Sequence, residues 1–106
     1  MDVTKESVEE FYNGHATVGL TRVKLTGTLS FPLNKGILLR CPGGTDPNPN
    51  SDPIWVGGAG VTADSAAGSG GMPMIPGDVL FIPIDRSDKL WVISTDTDQD
   101  IAWMGI

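Results

Sequence analysis

The sequence has one cysteine and one histidine, and both scarcities exclude chemistry. With Cys41 alone, the chain cannot form an internal disulfide, which fits synthesis in a reducing cytosol. Cys41 and His15 together cannot supply the nitrogen and sulfur ligands of a zinc site. A Ser-His-Asp or Cys-His centre would have to use His15, which follows the turn signal Asn13-Gly14 and reads as a surface histidine. Cys41 stands between Arg40 and Pro42 at the end of an apolar run, where a cysteine acts as a small hydrophobe. Positive charge is also scarce: Lys and Arg total 7 against 13 Asp and Glu, a formal net charge of −6. The basic residues Lys5, Arg22, Lys24, Lys35, Arg40, Arg86 and Lys89 are scattered, which argues against a nucleic-acid partner and against an anionic membrane surface. No apolar run approaches the ~20 residues of a membrane span. The first residues, Met1 to Glu6, contain no apolar h-region, so no secretory signal is expected.

Long helices are excluded by what is abundant. Gly 14 and Pro 8 make up 22 of 106 residues and interrupt every apolar run after residue 14. Charged residues are only 19% of the chain, below the usual quarter, which fits a surface partly covered by self-association. The length suits one domain.

Only residues 4–12 carry a helical pattern. Val8, Phe11 and Tyr12 share an i, i+3, i+4 face that stops at Asn13-Gly14, so residues 1–15 read as a short helix or an extended arm. From Ala16 the period becomes two. The apolar register switches near Thr21, which indicates a bulge or two short strands. Thr28 to Phe31 reads as extended and closes at Pro32. Strands are then expected at Ile37–Cys41, Ile54–Val56, Val79–Ile82, Leu90–Ser94 and Ile101–Ile106, with a further short one at Val61-Thr62. Thr45 to Pro53 (TDPNPNSDP) reads as an irregular surface loop, and Ala63 to Gly71 as a flexible one. Pro76-Gly77 reads as a type II turn. About seven short strands with no helical crossover predict an all-β chain: an antiparallel β-sandwich or small barrel over residues 16–106, with an N-terminal arm over residues 1–15.

Three patterns carry candidate chemistry. Asp96, Asp98 and Asp100 alternate as in the opening of a calcium loop, but the glycine and the distant glutamate are missing, so a hairpin turn with solvated acids is the plainer reading. Gly57-Gly58-Ala59-Gly60 and Gly68-Ser69-Gly70-Gly71 have GxG spacing without a following helix start, so they read as loops rather than phosphate cradles. Trp55, Trp91 and Trp103 each lie in a strand and read as core residues, although exposed aromatics could form a carbohydrate platform. No cofactor, metal or catalytic residue is assigned.

Four segments, taken in order, resemble small β-sandwich structural proteins of tailed-phage virions. They are Asn34–Pro42 (NKGILLRCP), Ile54–Ala63 (IWVGGAGVTA), Met72–Ile84 (MPMIPGDVLFIPI) and Lys89–Ile106 (KLWVISTDTDQDIAWMGI). The resemblance spans residues 34–106 and rests on the order and spacing of these elements. It departs from the family pattern at TDPNPNSDP. The resemblance implies a non-enzymatic capsid decoration or cement protein that binds and stabilises the phage head. Its partners would be the major capsid protein and further copies of itself. It would be made in the host cytoplasm and sit on the capsid surface of the virion. The alternatives are a phage tail or fibre module, or a calcium- or glycan-binding β module. A stripe of Val8, Phe11 and Tyr12 cannot hold a core of its own and needs a surface to bury against, either its own sandwich or, as interface positions, a neighbouring subunit or the capsid shell.

Overall fold

A computed structural model describes residues 12–64 and 68–106. Eight strands follow one another: β1 (Tyr12–Val18), β2 (Val23–Lys24), β3 (Ile37–Arg40), β4 (Ile54–Gly57), β5 (Met72–Met74), β6 (Val79–Ile82), β7 (Trp91–Ser94) and β8 (Gln99–Gly105). The helical content among the described residues is one 3-10 turn, Ser87–Lys89. The strands form two antiparallel four-stranded sheets packed as a sandwich, not a closed barrel. The first sheet has the order β1-β8-β3-β6 and the second β2-β7-β4-β5.

Alternation fixes which side chains face the interior. In β8, Gln99, Ile101, Trp103 and Gly105 point inward while Asp100, Ala102 and Met104 point out. In β3, Ile37 and Leu39 are inward, and in β4 Ile54 and Val56. Val18, Ile37, Leu39, Ile54, Val92 and Ile101 are each fully buried, and burial of such a side chain contributes about 1.5–3 kcal/mol.

The register switch near Thr21 is a change of sheet. β1 ends in the first sheet at Val18, and the chain enters the second as β2, where Val23 pairs with Val92. The Pro76-Gly77 turn forms as its sequence requires: Asp78 N–H donates to Ile75 O at 3.0 Å, and Gly77 takes φ +99, open to glycine without a Cβ penalty.

Several expectations are corrected. Asn13-Gly14 is not a turn, because both residues lie inside β1, paired with Met104 and Trp103, and His15 is an exposed strand residue. Residues 12–15, read as the end of an arm, therefore open the first sheet. Residues 25–28 turn instead of running extended, since Gly27 N–H bonds Lys24 O and Leu29 N–H bonds Thr26 O. Met72–Met74 is a strand not foreseen. Pro73 is tolerated there because β5 pairs only with β4 and lies at the sheet edge. Thr62 makes only an isolated parallel bridge to Gly70. Of the three tryptophans, Trp103 is in the core, whereas Trp55 and Trp91 are half-buried on the outer face of the second sheet, opposite in phase to Val56 and Val92.

Candidate functional site

The outer face of the first sheet carries two cross-strand rows. Register places Asn13, Met104, Leu38 and Phe81 side by side across β1, β8, β3 and β6. The adjacent row is His15, Ala102, Arg40 and Val79. Leu38 is 37% exposed, Met104 38%, Phe81 43% and Val79 59%. Large apolar side chains on three neighbouring strands thus share one solvent-facing patch, of the kind that marks interaction sites.

The signal for this patch is in the sequence. An antiparallel strand with one wet face alternates apolar and polar residues. Ile37-Leu38-Leu39 and Val79-Leu80-Phe81-Ile82 are continuous apolar runs. They place apolar side chains on both faces of a sheet that covers only one of them.

Beside the patch, the loop after β3 rises over the sheet. Its irregular composition does not leave it loose. Arg40 Nη2 and Nη1 donate to Asp46 Oδ2 and Oδ1 at 2.9 and 3.3 Å, and Gly43 N–H donates to Asp46 Oδ2 at 2.7 Å. The Arg40 hydrogen bond first, then that of Gly43, holds the Asp46 carboxyl below its ordinary range. Farther on, Asn50 pairs with the Asp100 backbone as a strand would. Its Nδ2 donates to Asp100 O at 2.7 Å, and its Oδ1 accepts from Asp100 N–H at 2.8 Å. Buried Gln99 accepts from Ser51 N–H and Asp52 N–H at 2.9 and 3.0 Å, and donates to Ser51 Oγ and Thr97 O. Ser94 Oγ donates to Pro53 O at 2.7 Å.

A shallow pocket of about 290 Å3 lies between this loop and the sheet, lined by His15, Pro42, Asp46, Pro47, Asn48, Asp100 and Ala102. A second, of about 180 Å3, is lined by Leu38, Leu39, Arg40, Ala102, Trp103 and Met104. Ala102 belongs to both. By register Ala102 stands between His15 and Arg40, so the two pockets adjoin at its methyl and together are termed the groove along β8.

Cys41 lies below the loop, fully buried, with its Sγ 3.8 Å from Met74 O. Burial, then the Asp78 charge, pushes its thiol up to about 11, with Arg40 opposing. The thiol is therefore neutral at physiological pH and shielded from solvent.

Two of the three aspartates expected in a turn occupy one. Asp96 and Asp98 lie in the β7–β8 turn, where Asp98 adopts φ 59 and Asp96 Oδ1 accepts from Thr97 N–H at 2.8 Å. Asp100 leaves the turn and faces outward from β8 into the larger pocket. Among the described residues, no group of three or more His, Cys, Asp or Glu side chains is placed to hold a metal ion. Of the expected interface residues, Tyr12 turns inward, its ring stacked on Phe31 with centroids 3.9 Å apart. Val8 and Phe11 lie outside the described residues. Sequence reasoning missed Leu38, Phe81, Val79 and Met104, which the topology brings together.

No protein-family model matches this chain, and neither a curated protein nor a solved structure is significantly similar to it.

Proposed function

We propose that this chain is a non-enzymatic structural protein of a phage virion, a decoration protein that docks on the assembled head through the outer face of the first sheet. The observation that carries this reading is the exposed row Phe81-Leu38-Met104 across three hydrogen-bonded strands. Exposed apolar side chains on ordered strands lose little conformational entropy when covered, so association gains from their burial at small ordering cost. Repetition on a symmetric shell then multiplies a modest contact into stable attachment. The partner is the major capsid protein, with further copies of this chain beside it. The resemblance of residues 34–106 to tailed-phage β-sandwich proteins supports the same reading.

The test is co-sedimentation of the chain with shells assembled from the major capsid protein of the same virus. The wild-type chain is expected to co-sediment, and Leu38→Glu and Phe81→Glu to remain in the supernatant with unchanged melting. A wild-type chain that never co-sediments overturns the reading, and sedimentation with isolated tails would move it to the tail.

A second reading, a glycan-binding module, is favoured by one finding. Trp55 and Trp91 are half-buried on the outer face of the second sheet, where they pair with Ile93 and Gly57 and Lys24 lies 5.9 Å over the Trp91 ring. Tryptophan emission that shifts on adding bacterial surface polysaccharide, and does not shift in Trp91→Ala, would favour this reading.

A further inference from the structure

We infer that the groove along β8 selects the partner: it takes an extended protein segment carrying a basic side chain at one position and an apolar side chain four residues away. This rests on the reading of the first sheet's outer face as the docking surface, and it names the chemistry that surface accepts.

The two ends of the groove differ. At the Met104 end the lining is mostly apolar, from Leu38, Leu39, Trp103 and Met104, with Arg40, whose charge is paired with Asp46, beside them. At the other end Pro42, Pro47 and Ala102 supply apolar lining, together with His15, Asn48 and the carboxylates of Asp46 and Asp100. Asp46 is neutralised by its two-pronged pair with Arg40. Among the described residues Asp100 has no such partner: its carboxylate accepts one long hydrogen bond, 3.4 Å, from Thr17 Oγ1. More acid lies nearby. Asp96 and Asp98 occupy the turn leading into β8, and Asp52 accepts from Thr95 at the same turn. In a chain of net charge −6, this end attracts a cation and repels phosphate or an acidic peptide.

Lysine and arginine match both features of the pocket. Their alkyl stems cover apolar surface such as the two prolines and Ala102, and their heads make charge-assisted bonds to a carboxylate such as Asp100. Spacing sets the second requirement. Asp100 and Met104 face the same side of β8 four residues apart, about 13 Å along a strand. An extended segment lying along β8 repeats that spacing between its residues i and i+4. The site is also preformed, because Asn50 and Gln99 fasten the wall to the sheet, so binding orders little.

The test is a proton–nitrogen NMR titration of the full chain with acetyl-Arg-Ser-Ala-Ser-Leu-amide and its charge-reversed form, acetyl-Glu-Ser-Ala-Ser-Leu-amide. The arginine peptide is expected to shift the amides of Leu38, Asp100, Ala102 and Met104 and to bind about tenfold more tightly than the glutamate peptide. Asp100→Asn should erase that preference. Ala102→Trp, which fills the junction of the two pockets, should weaken the arginine peptide, with the remaining spectrum verifying the fold. No shifts up to about 5 mM, equal binding of the two peptides, or shifts confined to other surfaces would overturn the inference. Shell docking that persists in Asp100→Asn while neither peptide binds would overturn the groove alone. Peptide binding without shell docking would overturn the assembly reading and leave the groove standing.

Discussion

The end of the sandwich where β8 begins is closed by hydrogen bonds, and the end where it finishes is closed by aromatic rings. At the first end, Asn50 and Gln99 tie the proline-rich loop to the backbone of β8 and its turn. At the second, Tyr12 stacks on Phe31 with centroids 3.9 Å apart, and Phe31 meets the Trp103 ring tilted at 5.7 Å. The stack needs Gly14 and Gly105. A Cβ on Gly14 would stand 2.7 Å from the Trp103 ring, and one on Gly105 would stand 2.8 Å from Leu33 Cδ2. The indole Nε1 of Trp103 is buried and finds no acceptor among the described residues. Nondirectional burial outweighs an unmade hydrogen bond at that end. At the other, directional bonds hold a wall at a fixed height over a groove. The difference separates two tasks: rings secure the fold, and polar pairs shape the surface.

The largest effect should come from the ring end. Phe31→Ala removes the middle of the stack and should cost about 3–5 kcal/mol in urea unfolding. A cost below about 1 kcal/mol would mean that Tyr12 and Trp103 close the gap, and the comparison would fail.

At the polar end, Asn50→Ala deletes two bonds to the Asp100 backbone and should cost about 1–3 kcal/mol. Hydrogen exchange should speed up at Asp100 N–H while Trp103 stays protected. If both amides accelerate equally, the two ends are one cooperative unit.

Cys41 sharpens the comparison through pH. Its folded thiol holds its proton to about 11, above the ordinary value of 9.0. Above pH 9 the unfolded chain releases this proton first and so binds fewer protons than the folded one. Stability therefore falls between those two values, by about 2 kcal/mol at pH 11. Cys41→Ala should lose that part of the alkaline slope, as read by unfolding at several pH values. An unchanged slope would mean that the thiol is open to solvent.

The smallest effect belongs to Asp46, which is half-buried and paired with the exposed Arg40. Its carboxyl should titrate below the ordinary aspartate range by NMR, and the contact with Arg40 should weaken only as pH falls through that lowered value. Arg40→Gln should return the midpoint to the ordinary range. A midpoint already ordinary in the wild-type chain would remove the clamp from the polar end.

Much of the architecture is a local property of the sequence. Strands β3, β4, β6 and β7 are short apolar runs bounded by Gly, Pro or polar turns, and no reading other than strand fits their length. Pro76-Gly77 dictates its turn because one residue presets φ and the next tolerates its positive value. These elements, separated by short turns and without a helical crossover, point to antiparallel sheets. Tertiary structure decided the rest, through contacts between residues far apart in the chain. Asn13-Gly14 is extended because Gly14 pairs with Trp103 and leaves room for its ring, a partner that no local window contains. TDPNPNSDP is ordered because Asn50 meets the backbone of Asp100, where its side-chain amide does the work of a neighbouring strand. Whether a tryptophan in an alternating strand faces the core or the solvent depends on which phase the sheet packing buries, and that placed Trp103 inside and Trp91 outside. The groove along β8 has the same origin. Ala102, Arg40 and His15 are unremarkable singly, and strand register alone sets the short side chain between the two long ones.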